Sequence, residues 1–97
     1  MLRAQKYFEA RVYYQLGKLF ERSNQLKRAT EELEIAVRYQ PDLAQAFYHL
    51  GRIYNRLGER EKSERALSTF RQFKQQPTTE DREFVEGIQQ ELQRSDH

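Results

Sequence analysis

Two stretches of this 97-residue chain are near copies of each other: residues 13–20 read YYQLGKLF and residues 47–54 read FYHLGRIY. In each, apolar residues recur at the spacings of three and four that predict an α-helix. Each also carries a glycine, Gly17 or Gly51, inside that pattern. A glycine within a helix costs about 1 kcal/mol relative to alanine. A chain that accepts this cost twice, 34 residues apart, is expected to gain from it in packing.

Comparison of the chain with itself at an offset of 34 residues extends the similarity well beyond these stretches. The matched pairs keep size and polarity, in order and without a gap. They are Ala10 with Ala44, Tyr13 with Phe47, Tyr14 with Tyr48, Leu16 with Leu50, Gly17 with Gly51, Lys18 with Arg52, Leu19 with Ile53, Phe20 with Tyr54, Arg22 with Arg56, Arg28 with Lys62 and Leu33 with Leu67. Chance similarity between two amphipathic helices would preserve the period but not the matched glycines and aromatic residues.

The apolar spacing predicts an all-helical chain. The predicted helices cover about residues 3–22, 26–39, 42–57, 60–75 and 79–94. Pro41 and Pro77 each follow one helical pattern and precede the next, as prolines at helix ends do. Asn24 and Gly58 fall at turns, where both residue types tolerate the left-handed backbone that closes a helix. Asp42 is expected in the first turn of the third helix, where the helix dipole favours an acidic side chain.

Composition sets limits on function. The chain has 17 basic and 15 acidic residues, interspersed, for a net charge of +2, so its overall charge does not call for nucleic acid or a membrane surface. It has no cysteine, which excludes disulfides, thiolate metal sites and a cysteine nucleophile. No apolar run is long enough to span a bilayer, and no signal peptide is recognisable, so the compartment is left open. The abrupt helical start suggests a fragment of a longer protein.

No pattern in the sequence predicts catalysis, a metal or a cofactor. The only histidines are His49 and His97. Ser95, Asp96 and His97 contain the residue types of a hydrolase triad, but three consecutive residues at a chain terminus cannot converge on one substrate. The remaining acidic cluster is interpreted as a solvated helix face, made of Glu31, Glu32 and Glu34.

The repeat resembles the tetratricopeptide repeat family, whose pattern is an aromatic or Leu, Leu-Gly, then Tyr or Phe on one helix, followed by Ala, Leu, Ala and Pro on the next. The first unit has every signature position: Tyr13, Leu16, Gly17, Phe20, Ala29, Leu33, Ala36 and Pro41. The second has Phe47, Leu50, Gly51, Tyr54 and Leu67. It departs at Ser63 and Phe70, where the family prefers alanine, and at Pro77, which falls two residues late.

The resemblance implies a single all-α domain, a right-handed α-α superhelix of two helical hairpins plus a C-terminal capping helix. Its parts would be a helical extension at residues 1–9, repeats at 10–43 and 44–77, a cap at 78–94 and a disordered tail at 95–97. In the cap, Thr78 or Thr79 would begin the helix, and an inward stripe of Phe84, Val85 and Ile88 would stack on the second repeat. At the other end of the stack, Tyr7, Phe8 and Val12 are expected on or near an open face.

The resemblance also implies a binding surface, because the first helices of successive repeats line a concave groove in this family. The positions that correspond are Arg11, Tyr14, Gln15, Lys18, Glu21, Arg22, Gln45, Tyr48, His49, Arg52, Asn55 and Arg56, together with Arg82 from the fifth helix. Helical spacing agrees, because Tyr14, Lys18 and Arg22 recur at steps of four, as do their repeat counterparts. Some relatives hold a C-terminal carboxylate with a Lys and Asn clamp, but Tyr14, Lys18 and His49 replace residues of that clamp here.

The predicted function is a non-catalytic protein–protein interaction scaffold that binds an extended, acidic protein segment in the groove. Tyrosine offers a large contact area for few rotatable bonds, and arginine can hold carboxylates with two hydrogen bonds. The alternatives are a homotypic assembly module, such as a homodimer, that uses the open N-terminal face, an RNA-binding helical repeat, or a structural spacer within a larger assembly.

Overall fold

The computed structural model describes residues 2–74 and 79–95, and over these ranges the chain forms five helices joined by turns. They are α1 (Leu2–Arg22), α2 (Leu26–Tyr39), α3 (Ala44–Arg56), α4 (Arg60–Lys74) and α5 (Thr79–Ser95). None of them is both long and apolar enough to cross a membrane. The described part of the chain contains no strand. Helix α5 includes Ser95, which was predicted to belong to a disordered tail. The other two residues of that tail, Asp96 and His97, lie outside the described residues.

Both hairpin turns close in the same way, 34 residues apart. Asn24 has φ 63° and Gly58 has φ 80°, as the sequence predicted for a left-handed helix terminus. In the first turn, the backbone N–H of Gln25 donates to the carbonyl of Phe20 at 2.9 Å. The second turn repeats this hydrogen bond from Glu59 to Tyr54, at 2.8 Å. These bonds satisfy carbonyls that the end of each helix leaves without a partner.

The start of α3 differs from the prediction. The helix begins at Ala44 rather than Asp42, and its first turn contains no acidic residue. Residues 41 and 42 instead form a turn, which is held by a 3.1 Å hydrogen bond from the N–H of Leu43 to the carbonyl of Gln40. Pro41 explains the displacement, because its missing N–H and fixed φ favour the turn that separates the two hairpins. The predicted positions of Pro77 and Thr78 lie outside the described residues.

The two signature glycines allow the helices of each hairpin to pack closely. A Cβ atom at Gly17 would lie 2.5 Å from Cγ of Leu33, and one at Gly51 would lie 2.5 Å from Cγ of Leu67. Such distances are far shorter than van der Waals contact between carbon atoms. The leucine of each second helix therefore fills the space over the glycine of the first, which confirms the packing that the sequence predicted.

Small side chains join the first hairpin to the second. Ala36 of α2 and Ala46 of α3 are fully buried, and they lie in one core with Leu33 and Ile53, the largest fully buried side chains. Alanine at these positions lets α3 approach α2, and the contact turns two hairpins into a continuous stack. The other signature side chains are buried or half-buried, except for Pro41, which is exposed.

The second repeat replaces one small residue without losing the packing. Ser63 stands where the first repeat has Ala29, and it is only 4% exposed. Its hydroxyl donates a 2.7 Å hydrogen bond to the carbonyl of Gly51 across the hairpin. The bond satisfies a hydroxyl that burial would otherwise leave unpaired.

Helix α5 is present as predicted, but its apolar stripe is not turned inward. Phe84 is 70% exposed, Val85 50% and Ile88 45%, so the expected stacking of this stripe on the second repeat is wrong. Phe70 supplies the physical reason, because it occupies the place of Ala36 in the first repeat. Where Ala36 leaves room for the next helix, the ring of Phe70 fills the space and packs against Tyr48, with ring centroids 5.2 Å apart.

The N-terminal end of the stack agrees with the prediction at two of three positions. Phe8 is 65% exposed and Val12 38%. Tyr7 is the exception at 8%, and its hydroxyl donates a 2.8 Å hydrogen bond to the carboxylate of Glu83 on α5. Tyr7 therefore lies on a different side of α1 from the open face.

Candidate functional site

The predicted groove is lined by α1 and α3, and most of its side chains reach solvent. The exposed members are Arg11, Gln15, Arg22, Gln45, Tyr48, Arg52, Asn55 and Arg56, while Lys18, Glu21 and His49 are half-buried. Arg82 is also exposed, but it belongs to α5, which among the described residues packs lengthwise against neither groove helix. The residues of the predicted groove on α1 and α3 therefore all come from the two repeats.

Tyr14 differs from the sequence interpretation, which had it lining the groove as a contact residue. It is only 8% exposed and belongs to the core. The ammonium group of Lys18 lies 4.8 Å from the ring centroid, and the His49 ring meets it edge-on at 5.7 Å. Burial, with a smaller effect of the nearby Glu21 carboxylate, raises the pKa of Tyr14 above its ordinary value. Tyr14 supports the groove floor and presents little of its ring to a ligand.

Tyr48 is the aromatic side chain that the groove exposes. It is 40% exposed, and its repeat counterpart Tyr14 is buried, because α3 covers α1 while α5 does not cover α3 in the same way. The guanidinium of Arg52 lies 5.6 Å from the Tyr48 ring centroid. Phe70 supports the ring from the α4 side. The result is a half-exposed aromatic surface with a cation over it.

Glu21 is the acidic member of the predicted groove set, and it contacts two residues of α3. Its Oε1 lies 2.9 Å from Nδ1 of His49, and its Oε2 lies 3.7 Å from Nη2 of Arg52. The Glu21 side chain is only 10% exposed, and its Oε2 has no hydrogen-bond donor within bonding distance. The sequence placed these residues on one surface, but it gave no sign that Glu21 bridges the two repeats. The arrangement holds His49 and Arg52 at fixed positions along the groove.

Two further groove contacts come from residues outside the predicted set. Asn24, in the first hairpin turn, accepts a 2.7 Å hydrogen bond from Nη2 of Arg56. The turn before α3 adds Gln40 and Leu43 to a cleft of about 290 Å³ that Arg11, Gln15 and Gln45 also line. Sequence reasoning missed these residues because they lie in turns, where helical spacing carries no information.

The acidic cluster of α2 is more than a solvated face. Glu31 is exposed, but Glu32 and Glu34 are half-buried. Glu34 accepts a short hydrogen bond from the hydroxyl of Tyr54, which joins α2 to α3. Among the described residues, no three acidic or histidine side chains come together in a way that could hold a metal ion. Ser95 ends α5, and the other two residues of the terminal Ser-Asp-His sequence lie outside the described ranges.

Comparison with protein families agrees with the repeat, the glycines and the hairpins. The tetratricopeptide repeat model matches residues 10–43 and 44–69, more than half of the chain. The chain belongs to the tetratricopeptide repeat family. Repeats of this family mediate protein–protein interaction, and they are typically non-catalytic modules. The second match ends just before Phe70, one of the residues at which the second repeat departs from the first. No curated protein matches the chain.

Proposed function

We propose that the chain binds an extended, acidic protein segment in the groove between α1 and α3. The observation that carries the proposal is the side-chain chemistry of that surface, where both repeats present exposed arginines and Arg52 lies beside the half-exposed ring of Tyr48. Membership of a family of protein-interaction repeats supports the general class of function. The acidic, extended character of the ligand is inferred from the surface.

The charge of the groove supports an acidic ligand. Basic side chains recur at matched positions in the two repeats: Lys18 and Arg22 correspond to Arg52 and Arg56. Within each helix the two cations are four residues apart, so they lie on the same side of the helix. One pair is on α1 and the other at the matching positions of α3, so the four cations form two rows. Glu21 is the acidic member of the set, and His49 and Arg52 already lie beside it. An extended segment with alternating carboxylates could meet both rows.

Tyr48 supports a protein ligand over a simple anion. A large, half-exposed ring supplies apolar contact area, and Arg52 beside it can hold a carboxylate. The ring is held in place by Phe70, so little side-chain freedom is lost on binding. We therefore expect Tyr48 and Arg52 to contribute more of the binding energy than the outer residues of the groove.

The experiment is a binding titration followed by fluorescence anisotropy. The probe is a labelled, extended peptide of about twelve residues with alternating Glu and aliphatic residues, and its charge-reversed lysine version is the control probe. We expect the acidic peptide to bind, the lysine peptide to bind at least about tenfold more weakly, and added salt to weaken binding. Equal affinity for both peptides would contradict the acidic specificity.

Variants locate the site. Tyr48→Ala combined with Arg52→Glu is expected to weaken binding by about tenfold or more, since each residue supplies an interaction worth 1 kcal/mol or more at the centre of the surface. Arg38→Glu is the matched control, because Arg38 is an exposed arginine on α2, outside the groove. Binding that survives the double substitution and fails with Arg38→Glu would place the site elsewhere.

A further inference from the structure

An apolar surface lies on the outer side of α1. This surface, named the α1 face, consists of Phe8, Val12, Leu16 and Leu19, and it forms a shallow cleft of about 400 Å³. Phe8 is 65% exposed and Leu19 56%, which is unusual for large apolar side chains in a continuous row. Arg11 and Gln15 also line this cleft and belong to the predicted groove set, but the groove proposal does not use the four apolar side chains.

A second apolar surface lies on α5. This surface, named the α5 face, consists of Phe84, Ile88 and Leu92 with Gly87 between them, and its cleft measures about 510 Å³. Leu92 is 61% exposed, and the other two side chains are also open to solvent. Most helices in proteins are stabilised by packing an apolar face against another element. Contact of the α5 face with a second apolar surface would therefore stabilise this helix.

The two faces have the same spacing. Each begins with Phe and continues with two aliphatic residues at steps of four, so each forms a ridge along its helix. Ridges with this spacing pack into each other's grooves in the commonest class of helix–helix contact. Their lengths also agree, at roughly 12–16 Å for a rise of about 1.5 Å per residue. One face is thus a geometrical partner for the other.

Charge distinguishes the possible pairings. Helix α1 has five basic and two acidic residues, a net charge of +3, whereas α5 has five acidic and two basic residues, a net charge of −3. Pairing of α1 with α1, or of α5 with α5, would bring like charges together. Pairing of α1 with α5 brings opposite charges together, which favours encounter and suppresses the other two arrangements.

Gly87 adds a third observation. A Cβ atom at Gly87 would meet nothing within 4 Å, whereas Gly17 and Gly51 each lie under a leucine of the neighbouring helix. Gly87 is bordered by Phe84 and Ile88, so the α5 face contains an open depression between two large side chains. A leucine of the α1 face would fit such a depression as Leu33 fits over Gly17.

We propose that the chain associates head to tail, with the α1 face of one copy packed on the α5 face of another. The proposal goes beyond binding in the groove and uses apolar side chains that the groove proposal does not involve. A contact between unlike faces does not saturate in a dimer, so each added copy presents a new α1 face and a new α5 face. The contact between two helices is at the small end of specific interfaces, so we expect weak, reversible association.

The test is sedimentation velocity of the full 97-residue chain from about 10 μM to about 1 mM, a range suited to a small interface. We expect the average mass to rise with concentration and to continue past a dimer. A monomer at every concentration, or a dimer that does not grow, would overturn the proposal.

Two variants identify the faces. One carries Phe8→Glu and Val12→Glu on α1, and the other carries Phe84→Glu and Ile88→Glu on α5. Each is expected to sediment as a monomer at all concentrations. The matched control carries Gln90→Glu and Gln93→Glu, which add the same charge on the opposite side of α5. Its average mass should still rise with concentration. Helical circular dichroism confirms that each variant is folded.

Mixing the two variants separates unlike from like pairing. The α5 variant keeps an intact α1 face, and the α1 variant keeps an intact α5 face, so an equimolar mixture should form a dimer that cannot grow. If α1 paired with α1, or α5 with α5, one variant alone would still dimerise and the mixture would form no new species. A mixture that stays monomeric would contradict the head-to-tail contact.

Discussion

Gly17 and Gly51 show how a single residue can be interpreted from sequence alone. Their position inside an apolar helical pattern, repeated after 34 residues, predicted close approach of a second helix. The structure confirms it with leucine atoms where a Cβ would have to lie. The identity of those atoms was beyond sequence reasoning, because the rotation of one helix against the other depends on all the side chains between them.

Gly51→Ala is expected to destabilise the fold despite the better helix propensity of alanine. The new Cβ would displace Leu67, and overpacking of this kind costs about 1–3 kcal/mol against a gain of about 1 kcal/mol in propensity. In a Leu67→Ala background the obstructing atoms are gone, so the same substitution should be neutral or stabilising. Urea unfolding of the four chains measures this coupling, and additive effects would contradict the contact. Gly51→Leu should destabilise more than Gly51→Ala.

Gly87→Ala is the matched control for that experiment. Nothing within 4 Å obstructs its Cβ, so only the propensity of α5 changes, by about 1 kcal/mol in favour of the helix. Helical circular dichroism should rise, while the urea midpoint of the two hairpins stays unchanged. A fall in helicity would show that the position is enclosed.

Tyr54 is expected to make the fold sensitive to alkaline pH. Burial, then the hydrogen bond to Glu34, raises the pKa of this phenol above its ordinary value of about 10. Because the folded-state pKa is the higher one, this stabilisation is complete below pH 10 and is lost as the pH rises through the folded-state value. Tyr54→Phe should lower the free energy of unfolding near neutral pH by about 1 kcal/mol and flatten its decline above pH 10. An unchanged alkaline decline in this variant would assign the effect to other groups.

At the scale of helices, sequence predicted where elements form better than how they pack. The five helices and both left-handed turns lie where the sequence predicted them. Helix α3 begins two residues later than predicted, because Pro41 stabilises a turn before it. The stripe of α5 was expected to face inward and does not, although its spacing was identified correctly. The spacing of apolar residues predicts that a helix has an apolar side, but it does not predict which surface covers that side. Phe70 was the one residue in the sequence that could have indicated this difference. It stands where the first repeat has Ala36, the small residue against which α3 packs.

Removal of α5 is therefore expected to leave the two hairpins folded. A chain that ends at Lys74 loses the hydrogen bond between Tyr7 and Glu83, which is worth about 1 kcal/mol. It loses no lengthwise packing between helices, because α5 makes none among the described residues. At low concentration, the thermal midpoint should fall by no more than a few degrees. A loss of cooperative unfolding would show that α5 covers the second repeat in solution.

At the scale of the whole molecule, stability depends on the contact between one hairpin and the next. Each repeat of a solenoid touches only its neighbours, so the α2–α3 contact decides whether the hairpins unfold together. The groove also depends on it, because Glu21 of α1 reaches His49 and Arg52 of α3 only when the stack is formed. The family pattern predicted which residues would line a groove. The burial of Tyr14 and the contacts of Glu21 with α3 could not be predicted, because they arise from the packing of one repeat on the next.

Ala36→Phe tests that dependence by giving the first repeat the residue of the second. The site is fully buried, so a phenyl ring should force α3 away from α2 and cost about 3 kcal/mol or more, at or above the upper end of ordinary overpacking. Denaturant unfolding should lose its single cooperative transition. Phe70→Ala is the converse variant at the corresponding position, where the ring is only half-buried, and its cost should be smaller. Retention of one sharp transition in Ala36→Phe would show that the hairpins are not coupled through this contact.

Phe70 suggests how the length of a solenoid can be encoded. Repeat proteins grow when each unit offers its successor a surface with the same shape, and a duplicated gene segment copies that surface without further change. In this chain a phenylalanine stands where the first repeat has alanine, the hairpin that carries it is intact, and among the described residues the next helix does not pack on it as α3 packs on α2. The number of stacked repeats would then depend on the volume of the side chain at this position. Evolution could change that number by substitutions there, with the rest of each repeat unchanged.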